Sequence, residues 1–178
     1  MAGDERLRLF CALRLPPDTV SRLAAWQQAT LRGGRAVPRE SLHVTLAFLG
    51  NRPAGDVEAV AAALRDAAAE AEPIVLRVRG YRETRSVGML VFDDEDGRAV
   101  ALALRLHERL EALGLYERES RPWLPHVTVL RFRERPRLGP ELPDLGEVSP
   151  SDAAVYLSRL RPGGAQYEVL EAVALGGG

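Results

Sequence analysis

Lysine is missing from this chain of 178 residues, and all 24 of its Lys/Arg positions are arginine. That absence excludes Schiff-base chemistry, an adenylated-lysine ligase and the G-x-x-x-x-G-K-[ST] phosphate loop. Cysteine is almost missing too. The single Cys11 leaves no internal disulfide and no thiolate-rich zinc site, and it agrees with a reducing cytoplasmic setting. No apolar run approaches the length of a bilayer span, and "MAGDERLRLF" carries charges where a secretory signal would be apolar. The expectation is a cytoplasmic protein with no membrane segment. Excess charge of one sign is also lacking, with a net charge of -1. A broad electrostatic surface for long nucleic acid is therefore not expected, whereas a small site gripping one or two nucleotides is compatible.

What is present reads as alternating strands and helices. In "RLRLFCALRLPP", Leu7, Leu9, Cys11 and Leu13 share one face, and Arg6, Arg8, Phe10, Ala12 and Arg14 the other. Pro16 and Pro17 end that strand, and "TVSRLAAWQQATLRGG" follows at helical spacing until Gly33–Gly34. "SLHVTLAFLG" reads as a strand and "DVEAVAAALRDAAAEAE" as an alanine-rich helix. "IVLRVRGYR" and "SVGMLVF" are strands, and "RAVALALRLHERLEALGL" is a third helix. "HVTVLRF" is a strand, and "AVYLSRL" with "QYEVLEAVAL" forms a closing antiparallel pair. Between them "RERPRLGPELPDLGEVSPS" reads as a long loop, functional or flexible. About seven strands and three helices with hairpin joins predict an α+β fold with antiparallel sheets.

Two of the three histidines occur in the same tripeptide, "HVT", each time inside an apolar strand. On a strand, residues i and i+2 point the same way, so His43 shares a face with Thr45, and His126 with Thr128. Val44, Leu46 and Phe48 are expected on the core side of the first strand, and Val127, Val129 and Phe132 on that of the second. A lone histidine in such a strand is ordinarily structural. The repeat in matching contexts, in a chain with little threonine, favours a shared site. The spacing of nearly half the chain fits two lobes, internally duplicated, with one motif each. Two imidazoles supply a general acid and a general base near neutral pH, and two hydroxyls hold the equatorial oxygens of a phosphate. No metal or cofactor is needed, and no third ligand accompanies either histidine at sensible spacing.

The other candidates are weaker. His107, among Glu108, Arg109 and Glu111, is expected on a solvated helix flank. Strict alternation puts Arg131 on the face opposite His126, unless a bulge or the strand end swings it into the site. Trp26 is expected to pack its helix, and Trp123 is the better of the two for stacking a base.

With these residues in view, the chain resembles the 2H phosphoesterases, specifically the bacterial and archaeal RNA 2′,3′-cyclic phosphodiesterases also called 2′-5′ RNA ligases. The resemblance rests on "RLFCALRLP", "SLHVTLAFLG", "RPWLPHVTVLR" and "LSRLRPGGAQYEVL", in the family's order across nearly the whole chain. It implies a bilobal α+β fold over residues 1–178, with antiparallel sheets lining a central cleft and helices outside. It implies hydrolysis of RNA 2′,3′-cyclic phosphate ends to 2′-phosphomonoesters, with reversible 2′-5′ ligation as the reverse transesterification. Carried over, His43 is the proton donor, His126 the proton acceptor, and Thr45, Thr128 and Arg131 bind phosphate. The implied partners are RNA ends or short oligonucleotides, bound by a monomer. Ala36 stands where such proteins often carry an aromatic, which removes a base-stacking group there. Two alternatives share the motifs: a phosphodiesterase for small nucleotides such as ADP-ribose cyclic phosphate, and a non-catalytic module that binds RNA ends.

Overall fold

Alternation decides the first strand. In the computed structural model, which describes residues 5–177, β1 (Arg6–Arg14) sends Leu9, Cys11 and Leu13 into the main core. Phe10 and Ala12 enter a second, smaller apolar cluster on its other face, with Ala154, Tyr156 and Tyr167. Both faces are covered, and each buried leucine contributes about 1.5–3 kcal/mol. Burial pushes the Cys11 thiol up to about 12, so it stays protonated and unreactive. Pro17 then opens α1 (Pro17–Thr30) at a position where its missing N–H costs nothing.

The remaining elements are β2 (Arg35–Ala36), β3 (His43–Pro53), α2 (Val57–Ala69), β4 (Arg77–Glu83), β5 (Val87–Asp93), α3 (Arg98–Ala112), β6 (His126–Arg131), β7 (Asp152–Arg161) and β8 (Gly164–Ala174). They build two four-stranded antiparallel sheets, in the orders β3-β1-β7-β8 and β2-β6-β5-β4. The α+β expectation holds, with the three helices foreseen. Only β2 was not anticipated; two residues are too short to show a pattern. The chain crosses between sheets: β1 and β3 join the late strands β7 and β8, while β2 joins β6. One H-x-T motif lies in each sheet.

Helix α2 packs on β7 and β8, and α3 packs on α2 and β3. Asp94 caps α3, its carboxylate accepting from the Ala99 and Val100 amides at 3.2 and 2.9 Å. Here one expectation fails. His107 is not on a solvated flank but 3% exposed. It follows Ala103 by one helical turn, and Ala103 is buried, so the apolar stripe is wide enough to include it. Its Nε2–H donates to the Leu46 carbonyl at 2.7 Å. Desolvation lowers its pKa and keeps the ring neutral.

The loop after β6 is irregular but anchored. The Glu83 side chain is only 2% exposed and accepts from the Arg137 and Leu138 amides at 2.8 and 2.9 Å. Further on, Trp26 Nε1–H donates to the Glu141 carbonyl at 2.7 Å, and Leu76 and Val148 exchange two backbone bonds of 2.8 Å.

Candidate active site

Each motif begins its strand, and the two strands then do the same thing. From His43 to Phe48, residues run half-buried, buried, half-buried, buried, buried, exposed; from His126 to Arg131 the series is identical. The doubled burial after the threonine marks a β-bulge in each. On β3, Thr45 opposes Ala12 and Ala47 opposes Cys11, leaving Leu46 with no partner on β1. On β6, Thr128 opposes Met89 and Leu130 opposes Gly88, leaving Val129 with no partner on β5. One extra residue shifts the alternation by one. So Phe48, expected in the core, turns to the site side and is 47% exposed, and Arg131 turns to the same side as His126 and Thr128.

The two strands face one cleft of about 370 Å³ between the sheets. Among its lining residues are His43, Thr45, His126, Thr128 and Arg131, so every site residue foreseen from the sequence is brought together. Trp123 Nε1–H, just ahead of β6, donates to the Thr45 carbonyl at 3.1 Å and ties the two motif strands to each other. That indole does not line the cleft, so the stacking role considered for Trp123 is not supported; Trp26 is packed against the core as expected. The cleft also holds Arg8, Phe10, Arg35, Phe48 and Tyr167, which sequence reasoning did not assign to it. Arg8 and Phe10 were legible as the second face of β1. Arg35, Phe48 and Tyr167 required the bulge and the sheet order.

Histidine tautomers are set by the backbone two residues upstream. His126 Nδ1–H donates to the Leu124 carbonyl at 2.9 Å, and the Ser41 backbone is a partner of the His43 ring. Both rings thus turn Nε2 away from that bond. Nε2 of His43 sits 3.0 Å from Thr45 Oγ1 and accepts its proton while the ring is neutral. The His43 ring is stacked on Phe10 (centroids 5.0 Å) and edged by Tyr167 (5.5 Å). Desolvation against these aromatics lowers its pKa to about 4, with the nearby His126 and Arg131 side chains acting in the same direction. At pH 7 the ring is neutral. Among the described residues that line the cleft there is no carboxylate, and the arginines give it a positive field suited to an anion.

Gly34 controls how closely the segment before β2 approaches β6. A Cβ there would fall 2.5 Å from the Arg131 carbonyl oxygen and 3.2 Å from Leu130 Cγ. The pair Gly33–Gly34, read from the sequence as a helix stop, lies beyond the helix, which ends at Thr30 with Leu31 already extended; Gly34 instead lets this segment lie against the strand that carries Arg131.

Comparison with known proteins agrees with the geometry. The family model of the 2′-5′ RNA ligase superfamily matches residues 15–160. The chain belongs to that superfamily, the 2H phosphoesterases. An RNA 2′,3′-cyclic phosphodiesterase of Thermus thermophilus is 34% identical over 187 residues, spanning 96% of this chain and 91% of that protein. The enzyme of the same name from Methanocaldococcus jannaschii is 26% identical, over 93% of this chain and 99% of its own. Among solved structures, TT0787 of Thermus thermophilus superposes with a TM-score of 0.82 at 30% identity, covering 96% of this chain and 99% of that one. Apo LigT of Escherichia coli gives 0.82 at 25% identity, covering 97% and 99%.

Proposed function

We propose that the protein hydrolyses RNA 2′,3′-cyclic phosphate ends to 2′-phosphomonoesters by acid–base catalysis between His43 and His126. One observation carries this reading: both H-x-T pairs and Arg131 line a single cleft, presented by two strands of identical burial pattern. The names of the relatives support the substrate class. The whole chain acts as one two-lobed unit with a motif in each lobe, as a cytoplasmic monomer, on RNA ends or short oligonucleotides, without metal or cofactor.

In this mechanism His126 Nε2 takes a proton from water, whose oxygen attacks phosphorus. The bond from phosphorus to the 3′ oxygen breaks, and His43 delivers its proton to that oxygen. Thr45, Thr128 and Arg131 hold the non-bridging oxygens as charge accumulates there. The neutral resting state of His43 is compatible with a donor role because the incoming phosphate is an anion. Its charge opposes the push from Arg131 and draws a proton onto Nε2. Protonation also releases the Thr45 hydroxyl, which then turns its hydrogen to the phosphate.

The low pKa of His43 favours a second assignment as well, with His43 as acceptor and His126 as donor. An aryl phosphodiester, whose leaving group needs no proton, separates the two. The variant lacking the donor keeps its activity on that ester, and the variant lacking the acceptor does not. The function itself is tested by identifying the product from an oligonucleotide with a cyclic phosphate end. A 2′-phosphate is expected; a 3′-phosphate, or no opening of the ring, rejects the proposal.

A further inference from the structure

We infer that Gln27 and His107 are positioning residues, one for each half of the cleft, that act by saturating the carbonyls of the two bulge residues. The inference deepens the proposed function and rests on it only for its kinetic readout. His107, from α3, gives Nε2–H to the Leu46 carbonyl at 2.7 Å. Gln27, from α1, gives its amide to the Val129 carbonyl at 2.8 Å and to the Val37 carbonyl at 3.0 Å, and the Val129 carbonyl also accepts from the Val37 amide at 3.1 Å. Each residue is 3% exposed and lies on the buried face of its helix. Leu46 and Val129 occupy equivalent places, each next after the motif threonine, Leu46 without a partner on β1 and Val129 without one on β5.

The physical case is one of supply and demand for hydrogen bonds. A bulge frees a residue from pairing on one side, and a buried carbonyl short of donors is destabilising; Leu46 draws its donor from His107, while Gln27 adds a second donor to Val129 and clamps it to Val37. A strand can relieve that by slipping one residue and restoring plain alternation. The slip would carry Phe48 and Arg131 out of the cleft, because alternation alone puts both on the opposite face from the motif pair. Two buried donors from two different helices, meeting the same position of the two motifs, hold the strands in the bulged register. Their effect on the reaction passes through Arg131 on one side and through Phe48 and Thr45 on the other.

The test uses the full chain with a short cyclic-phosphate oligonucleotide. Gln27→Met keeps size and removes the donor; it is expected to raise KM about 10- to 100-fold with a much smaller change in kcat, since Arg131 grips phosphate in both ground and transition states. In an Arg131→Ala background the same substitution should cost little more. His107→Leu is expected to lower kcat, and His107→Gln, which places an amide near the lost Nε2, to restore most of it. Equal costs of Gln27→Met in both backgrounds, or His107→Gln as impaired as His107→Leu, would overturn the inference. If Gln27→Met or His107→Leu does not fold, Gln27→Asn and His107→Asn draw the donor back and should give the same pattern. Crystal structures of the variants and titration with inorganic phosphate supply a readout without turnover. Loss of the bulge and weaker phosphate binding are expected; an unchanged bulge with unchanged binding refutes the inference. These two measurements stand even if the wild type opens no cyclic phosphate, an outcome that would reject the proposed function alone.

Discussion

The two H-x-T strands share a sequence, a bulge and a burial pattern, yet they sit in different neighbourhoods. β3 is the edge strand of its sheet, and its histidine is packed among Phe10, Tyr156 and Tyr167. β6 lies inside the other sheet between β2 and β5, with Arg35 opposite Arg131. After the bulge, one strand offers the cleft an aromatic ring and the other a guanidinium. The repeat supplies a symmetric frame, and what surrounds it supplies the asymmetry that the two proposed proton roles require. Identical motifs are made unequal by their neighbours.

The largest expected effects probe what the motifs share. His43→Ala and His126→Ala should each lower kcat by about 10²–10⁴-fold, the range for removing a general acid or base. Their combination should fall well short of the product of the single losses, since the two act as a unit. Turnover of a cyclic-phosphate oligonucleotide by the three variants checks this; one histidine dispensable and the other essential would break the symmetry.

Next comes the position where the motifs differ. Arg131→Ala removes a charged donor worth about 1.5–3 kcal/mol, which is about 10- to 150-fold in affinity for inorganic phosphate as an inhibitor. Phe48→Ala, at the equivalent place, should leave phosphate inhibition within about 2-fold, because the ring offers no charge. Comparable losses from both would mean that the bulges shape the cleft without dividing labour.

A smaller effect is expected at Gly34. The Cβ of Gly34→Ala meets the Arg131 carbonyl, so a shift of β6 should weaken phosphate binding by a few-fold. The smallest effect concerns pH. His43 binds a proton less readily in the folded state, where its pKa is about 4, than at the ordinary value of 6.5. Above pH 6.5 both states are neutral there and nothing changes. As pH falls from 6.5 towards 4, the unfolded chain takes up the proton first and stability is lost. His107, whose pKa is lowered too, contributes in the same direction. Urea midpoints at pH 7 and pH 5 should differ less in His43→Leu than in the wild type.

Much of this site was legible from residues alone because it depends on local order. Period two put His43 with Thr45 and His126 with Thr128, and the double occurrence of the tripeptide argued for a common target. The two faces of β1 were equally readable, since Leu9, Cys11 and Leu13 enter one apolar cluster and Phe10 and Ala12 the other. What escaped the reading were consequences of pairing. The bulges left a trace, the consecutive apolar residues Leu46–Ala47 and Val129–Leu130 after each threonine, but alternation read straight through them misplaced Phe48. His107 was misjudged from its charged neighbours, because a helix face is chosen by residues three and four away rather than by those beside it. No local signal announced that β1 would pair with β7, or that Tyr167 would reach His43 from the far end of the chain. Those facts depend on which strands meet, and sequence separation hides them.

The sheet order has a kinetic corollary. β1 is flanked by β3 on one side and by β7 on the other, so the strand that appears first acquires its second neighbour only after every helix and the whole of the other sheet have been synthesised. Such non-local pairing slows folding and leaves one side of β1 open on the ribosome. The groove that houses both imidazoles therefore closes late, and a nascent chain holding both histidines is still without a completed enzyme.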